Sequence, residues 1–167
     1  HGAKVVVCQH EATLGINAHV FRLARRAGVT TVLNPAPMRS DFNPLILRHT
    51  DVLIPNETEF VALANRLKLG RGKTITEVKL AKLSAAKFHQ LCRAFKVPTV
   101  IVTLGSKGCF ISQTSGYNSI AACKGIKVVD TTGAGDAFCG GFAAGMVKFE
   151  NDIVAAARFA NTVAALS

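Results

Sequence analysis

The sequence predicts an α/β domain built on a mostly parallel sheet. Short β-branched runs alternate with stretches of helical apolar spacing through the first half of the chain, which is the order of β-α-β units. The chain has 167 residues and 49% hydrophobic composition, enough to bury a core as one domain over residues 1–167. Internal repeats, low-complexity tracts and linkers are absent from it.

Taken in order, 4-KVVVC-8 is a short β-branched run, and 14-LGINAHVFRLARRAG-28 follows with Leu14, Ala18, Phe21 and Leu23 at helical spacing and Gly28 as the C-terminal cap. A strand at 30-TTVLN-34 stops at 35-PAP-37, and 51-DVLIP-55 repeats the strand pattern. The segment 57-ETEFVALANRLKLG-70 reads as a helix closed by glycine. A polar loop, 70-GRGKTIT-76, leads into an amphipathic helix from Glu77 to Phe95, and 99-TVIVTLG-105 is the most strand-like stretch of the chain. Shorter strands follow at 109-CFIS-112, 117-YNSIAAC-123 and 126-IKVVD-130. Two helices close the chain, one starting in 130-DTTGAGDAFCGGFAAG-145 and running to about Lys148, the other over 152-DIVAAARFANTVAAL-166.

Composition excludes several classes. Cys8, Cys92, Cys109, Cys123 and Cys139 are odd in number and never spaced C-x-x-C, so neither a disulfide framework nor a zinc site is indicated. The formal charge of +10 would suit a polyanion, but the basic residues are interleaved with apolar ones as on solvated helix faces. One tyrosine, no tryptophan and no recognisable motif argue against nucleic acid. No apolar run spans a bilayer and no signal peptide opens at His1, so the expectation is a soluble, cytoplasmic chain excerpted from a longer one, with no membrane partner. The letters G-K-T at 72–74 lack the first glycine of a P-loop, since position 67 is Leu67. His10-Glu11 lacks the second histidine of a metalloprotease helix, since position 14 is Leu14.

The stretch around Gly133, Ala134, Gly135 and Asp136 carries the chemistry. Two glycines at a helix start are poor helix formers, and the amides they leave open carry partial positive charge suited to an anion. Asp130, Thr131 and Thr132 offer a capped start. Asp136 is either ordinary first-turn helix chemistry or a general base beside that anion, as transfer of a phosphoryl group to a hydroxyl requires.

The segment 130-DTTGAGDAFCGGF-142, with 34-NPAP-37, 55-PNETE-59 and 103-TLGSKG-108 in matching order, resembles the ribokinase family of sugar kinases. The resemblance covers essentially the whole chain, as the C-terminal portion of a kinase roughly twice as long. It implies a three-layer α-β-α, ribokinase-like (Rossmann-like) fold, incomplete at its N-terminal side, and ATP-dependent phosphorylation of a sugar, with D-ribose to ribose 5-phosphate as the first expectation. Another sugar or nucleoside kinase of the family, such as a fructokinase, and a non-catalytic nucleotide-binding fragment are the alternatives.

By the same resemblance, Asp136 is the base that takes the proton of the sugar hydroxyl, and the amides of Gly133, Ala134 and Gly135 form the anion hole. Asn56 and Glu59 match an N-x-x-E element associated with magnesium and phosphate, Glu59 acting on Mg²⁺ through water. Read from the residues, they are equally a helix-capping pair. Thr103, Gly105, Ser106 and Gly108 match a nucleotide-binding turn, or a plain glycine-rich turn. Asn161 falls where relatives meet the adenine side, and Glu11 matches a sugar-contacting glutamate. Asp130 and Thr132 align with part of a potassium site. ATP, Mg²⁺ and a monovalent cation are thus the implied cofactors, and a homodimer the implied state of the complete protein.

Overall fold

The structure is a computed structural model that describes residues 2–11, 14–123 and 133–167. Among the described residues the sheet has six strands in chain order: β1 (Val5–Cys8), β2 (Thr30–Leu33), β3 (Val52–Leu53), β4 (Thr99–Thr103), β5 (Cys109–Gln113) and β6 (Gly116–Ile120). β1 to β4 are parallel, with Val5 opposite Thr30, Val32 opposite Val52, and Val52 opposite Thr99. β4, β5 and β6 run antiparallel because the turns between them are too short for a crossover.

Helices cover both faces. α1 (Leu14–Arg26), α2 (Glu57–Arg66), α3 (Glu77–Ala81) and α4 (Ala85–Arg93) bury Phe21, Phe60, Leu63, Leu80 and Phe88 against Leu33, Val100 and Val102. α5 (Ala134–Lys148) and α6 (Ile153–Leu166) bury Phe138, Phe142, Met146, Ala156 and Ala160 against Val32, Val52, Ile101 and Ile111. Alternate strand residues thus feed opposite cores, the period-2 signature of a sheet buried on both sides. Three buried thiols, Cys92, Cys109 and Cys139, are each pushed up to about 12 by desolvation and are inert packing groups.

The two C-terminal helices approach unusually closely because glycine faces alanine. A Cβ on Gly145 would stand 2.8 Å from Ala156 Cα, and one on Gly141 would stand 3.0 Å from Ala160 Cα. Gly140, exposed on the same helix, and Gly135 in its first turn would meet nothing within 4 Å.

Two expectations are corrected. The helix expected from Glu77 to Phe95 is two helices, because Ser84 takes an extended conformation and its hydroxyl accepts from the Lys87 amide at 3.4 Å, restarting the helix. Leu23 is not on the buried face of α1, being 49% exposed, and the stripe instead runs through Asn17, Phe21 and Ala24. Arg25 and Arg26 lie in the last turn of α1, and the expected cap Gly28 has a φ of +68°, the left-handed cap conformation. The strand expected at 126–130 lies outside the described residues.

Candidate active site

The carboxyl ends of the parallel strands β2, β3 and β4 open on one cleft of about 220 Å³. Ligands of open α/β sheets gather at such ends. Asn34 follows β2, Ile54 and Asn56 follow β3, and Thr103 ends β4; all line the cleft, and Glu59, Gly133, Gly135 and Asp136 complete much of its wall. The volume falls below the roughly 300–1,000 Å³ of pockets that enclose a drug-sized ligand, so it suits the reacting groups rather than two whole substrates.

Asn56 and Glu59 form a reciprocal capping box at the start of α2. The Glu59 amide donates to Asn56 Oδ1 at 2.8 Å and the Asn56 amide donates to Glu59 Oε2 at 2.9 Å. Asn56 is also bridged in parallel to Thr103, whose amide donates to the Pro55 carbonyl at 3.0 Å, so the cap is tied to the end of β4. The structural role is real, yet it does not exhaust Glu59. Its carboxylate is buried, with 8% exposure, and desolvation pushes its pKa up; the Asn56 amide draws it down and the negative charge of Asp136 adds to the rise. Two carboxylates facing one small cleft are a donor set that a hard divalent cation relieves, with water and phosphate oxygens completing its shell. No group of three or more side-chain metal ligands occurs among the described residues.

Gly133 immediately precedes α5 as its N-cap; its φ of +83° is left-handed and it provides no side-chain cap. The first intrahelical bond runs from the Ala137 amide to the Gly133 carbonyl at 2.8 Å, so the amides before Ala137 have no partner within the helix. Gly135 needs neither a positive φ nor a packing gap, and its missing side chain opens onto the cleft. Asp136 accepts a hydrogen bond from Gln9 Nε2 at 2.6 Å on its Oδ1.

Six of the expected site residues therefore meet in one place: Asn56, Glu59, Thr103, Gly133, Gly135 and Asp136. Ala134 sits between two of them in the first turn of α5. Gly105 and Ser106 are exposed on the 3-10 turn after β4. Gly108 on that turn has its own structural demand, since φ is +89° and a Cβ would stand 2.0 Å from the Ile120 carbonyl oxygen. Asn161 donates from Nδ2 to the Ala121 carbonyl at 2.9 Å, tying α6 to the segment after β6. Glu11 is exposed beyond β1, and Asp130, Thr131 and Thr132 lie outside the described residues.

Sequence reasoning did not single out Gln9 or Asn34. Both are polar residues immediately after a parallel strand, and that position was the available signal. His10, next in the chain, is 1% exposed with its ring 4.7 Å from that of Phe42. Burial lowers its pKa; Asp41 raises it, Arg39 lowers it, and the Pro35 and Pro37 carbonyls raise it, although neither ring nitrogen completes a hydrogen bond among the described residues.

The sequence profile of the pfkB family carbohydrate kinases matches residues 5–167. A ribokinase of Staphylococcus aureus (strain COL) is 33% identical over 165 residues, which is 99% of this chain and 50% of that protein. A deoxyribokinase of Salmonella typhi is 29% identical over 164 residues, 98% of this chain and 49% of that protein. Among solved structures, Arabidopsis thaliana ribokinase complexed with ribose and ATP superposes with a TM-score of 0.78 at 33% identity, over 98% of this chain and 49% of that one. The chain spans about half the length of the curated relatives it matches.

Proposed function

Because the chain belongs to the pfkB family of carbohydrate kinases, we propose that it is the catalytic portion of an ATP-dependent ribokinase that transfers the γ-phosphoryl group in line to a hydroxyl of D-ribose. Asp136 takes the proton of that hydroxyl as the bond to phosphorus forms, and the amides of Gly133, Ala134 and Gly135 hold the charge developing on the phosphoryl oxygens. Asn56 and Glu59 would hold magnesium on the phosphate side, Glu59 through water; the ion supplies neutralisation of phosphate charge when bound. Thr103, Gly105, Ser106, Gly108 and Asn161 form the nucleotide side, Glu11 reaches the sugar, and Asp130 with Thr132 serves a potassium ion. The observation that carries the reading is Gly135: a helix glycine with no conformational or packing reason, placed beside a carboxylate in the cleft.

The test is Asp136→Asn in the full-length protein, with phosphoryl transfer to ribose and ATP binding measured side by side. Turnover should fall about 10²–10⁴-fold, the usual loss for a general base, with ATP affinity nearly unchanged. A near-normal kcat overturns the assignment. A second reading, phosphorylation of a different sugar, is favoured by the deoxyribokinase relative. Comparing kcat/KM for ribose, 2-deoxyribose and fructose separates the two, and ATP binding with no turnover on any sugar would indicate a binding module instead.

A further inference from the structure

We propose that Gln9 is the positioning residue of the general base: its side-chain amide grips Asp136 Oδ1 and so aims Oδ2 at the acceptor hydroxyl. The inference rests on Asp136 being that base. Gln9 and Asp136 are 127 residues apart, and their contact joins the end of β1 to the first turn of α5.

The direction of this hydrogen bond follows from the groups around it. Asn34 Nδ2 donates to the Ile54 carbonyl at 2.8 Å, and Asn34 Oδ1 accepts from the Ala36 amide at 3.3 Å, so backbone groups determine which end of the Asn34 amide is oxygen. That oxygen lies 3.2 Å from the same Gln9 nitrogen that lies 2.6 Å from Asp136 Oδ1. An oxygen at that position on Gln9 would face two acceptors. The group is therefore NH₂, and its two hydrogens go to Asn34 and Asp136. The backbone is held as well, since Asn17, 2% exposed on α1, donates from Nδ2 to the Gln9 carbonyl at 2.7 Å.

A donor committed to Oδ1 has two consequences. It directs the arriving proton to Oδ2. It also prevents the carboxylate from turning in a cleft where Glu59 repels it. Gln9 touches no reacting atom; it acts through Asp136.

The test compares Gln9→Met, which keeps the length without the donor, and Gln9→Glu, which keeps the shape with an acceptor in the donor's place. Each is made in the full-length protein, alone and combined with Asp136→Asn. With Asp136 present, kcat should fall about 10-fold for Met, as expected for one hydrogen bond to a charged group, and further for Glu, with KM for ATP and the melting temperature nearly unchanged. With Asn at 136, neither change should lower the residual rate further. Wild-type kcat in Gln9→Met, or an equal loss in both backgrounds, overturns the positioning role while leaving the base intact. Near-normal turnover in Asp136→Asn alone removes the base, and this proposal with it.

Discussion

Three glycines of α5 offer a matched set of alanine substitutions whose outcomes the structure separates. At Gly140, exposed with nothing within 4 Å of an added Cβ, alanine only removes the conformational freedom of glycine, so stability should rise by about 0.5–1 kcal/mol. In a chain of this size that is a gain of roughly 1–4 °C in melting temperature. At Gly145 the same gain opposes a Cβ forced to 2.8 Å from Ala156 Cα, a contact with backbone that can yield only if α6 moves. Overpacking of this kind costs about 1–3 kcal/mol, so the net effect is a loss on the order of 1 kcal/mol and a melting temperature lowered by a few degrees. At Gly135 the added methyl meets no atom of the described residues, so stability should hold or rise by a few tenths of a kcal/mol, while it intrudes on the cleft where the proposed mechanism brings the phosphoryl group. Turnover should fall by on the order of 10-fold or more, and Gly135→Val should fall further without unfolding. The assays are thermal unfolding by circular dichroism and steady-state phosphoryl transfer in the full-length protein. Gly140→Ala losing as much stability as Gly145→Ala would refute the packing argument. Parallel losses of stability and activity in Gly135→Ala would make that glycine structural.

Two further substitutions report on buried titrating groups. Glu59 has a raised pKa, so its ionisation opposes folding progressively as pH rises through the carboxyl range; Glu59→Gln can still accept at Oε1 from the Asn56 amide and lacks that penalty. Its urea midpoint relative to wild type should climb between pH 4 and 7, while the magnesium concentration needed for activity increases; a lowered midpoint with unchanged magnesium dependence would make Glu59 a cap alone. His10 has a lowered pKa, so the stability it contributes is complete above the ordinary histidine value of about 6.5 and drains as pH falls below it. His10→Leu should flatten that acid loss and hold or improve stability at pH 7.5, because it removes two ring nitrogens that have no hydrogen bond among the described residues; equal acid sensitivity in both proteins would refute this.

Periodicity made most elements legible, and it failed where two patterns coincide. Leu80, Phe88 and Cys92 keep one apolar stripe across the break at Ser84, so spacing by itself reads one helix where the hydroxyl of Ser84 starts a second. Leu23 matched a helical face by count, but the sheet selects the face centred on Phe21. At the site, the capping pair and the glycine-flanked Asp136 were readable because helix termini have local chemistry. The Gln9 contact was not, since pairing across 127 residues is decided by the order of the strands and no local pattern encodes it.

The assignment of helices to faces also orders events during synthesis. The layer formed by α1 to α4 is laid down as the strands emerge, each helix close in sequence to the strand it covers. Among the described residues the opposite face, with Val32, Val52 and Ile101, is covered by α5 and α6, which follow all six strands in the chain. At a translation rate of about 5–20 residues per second, the sheet waits some 3–12 s after Ile101 is polymerised before Ala160 exists to close it. Through that interval Val32, Val52 and Ile101 lack the apolar partners that α5 and α6 supply. The segment that completes this core is also the one that delivers Asp136 to the cleft, so burial of the face and completion of the cleft wall arrive together.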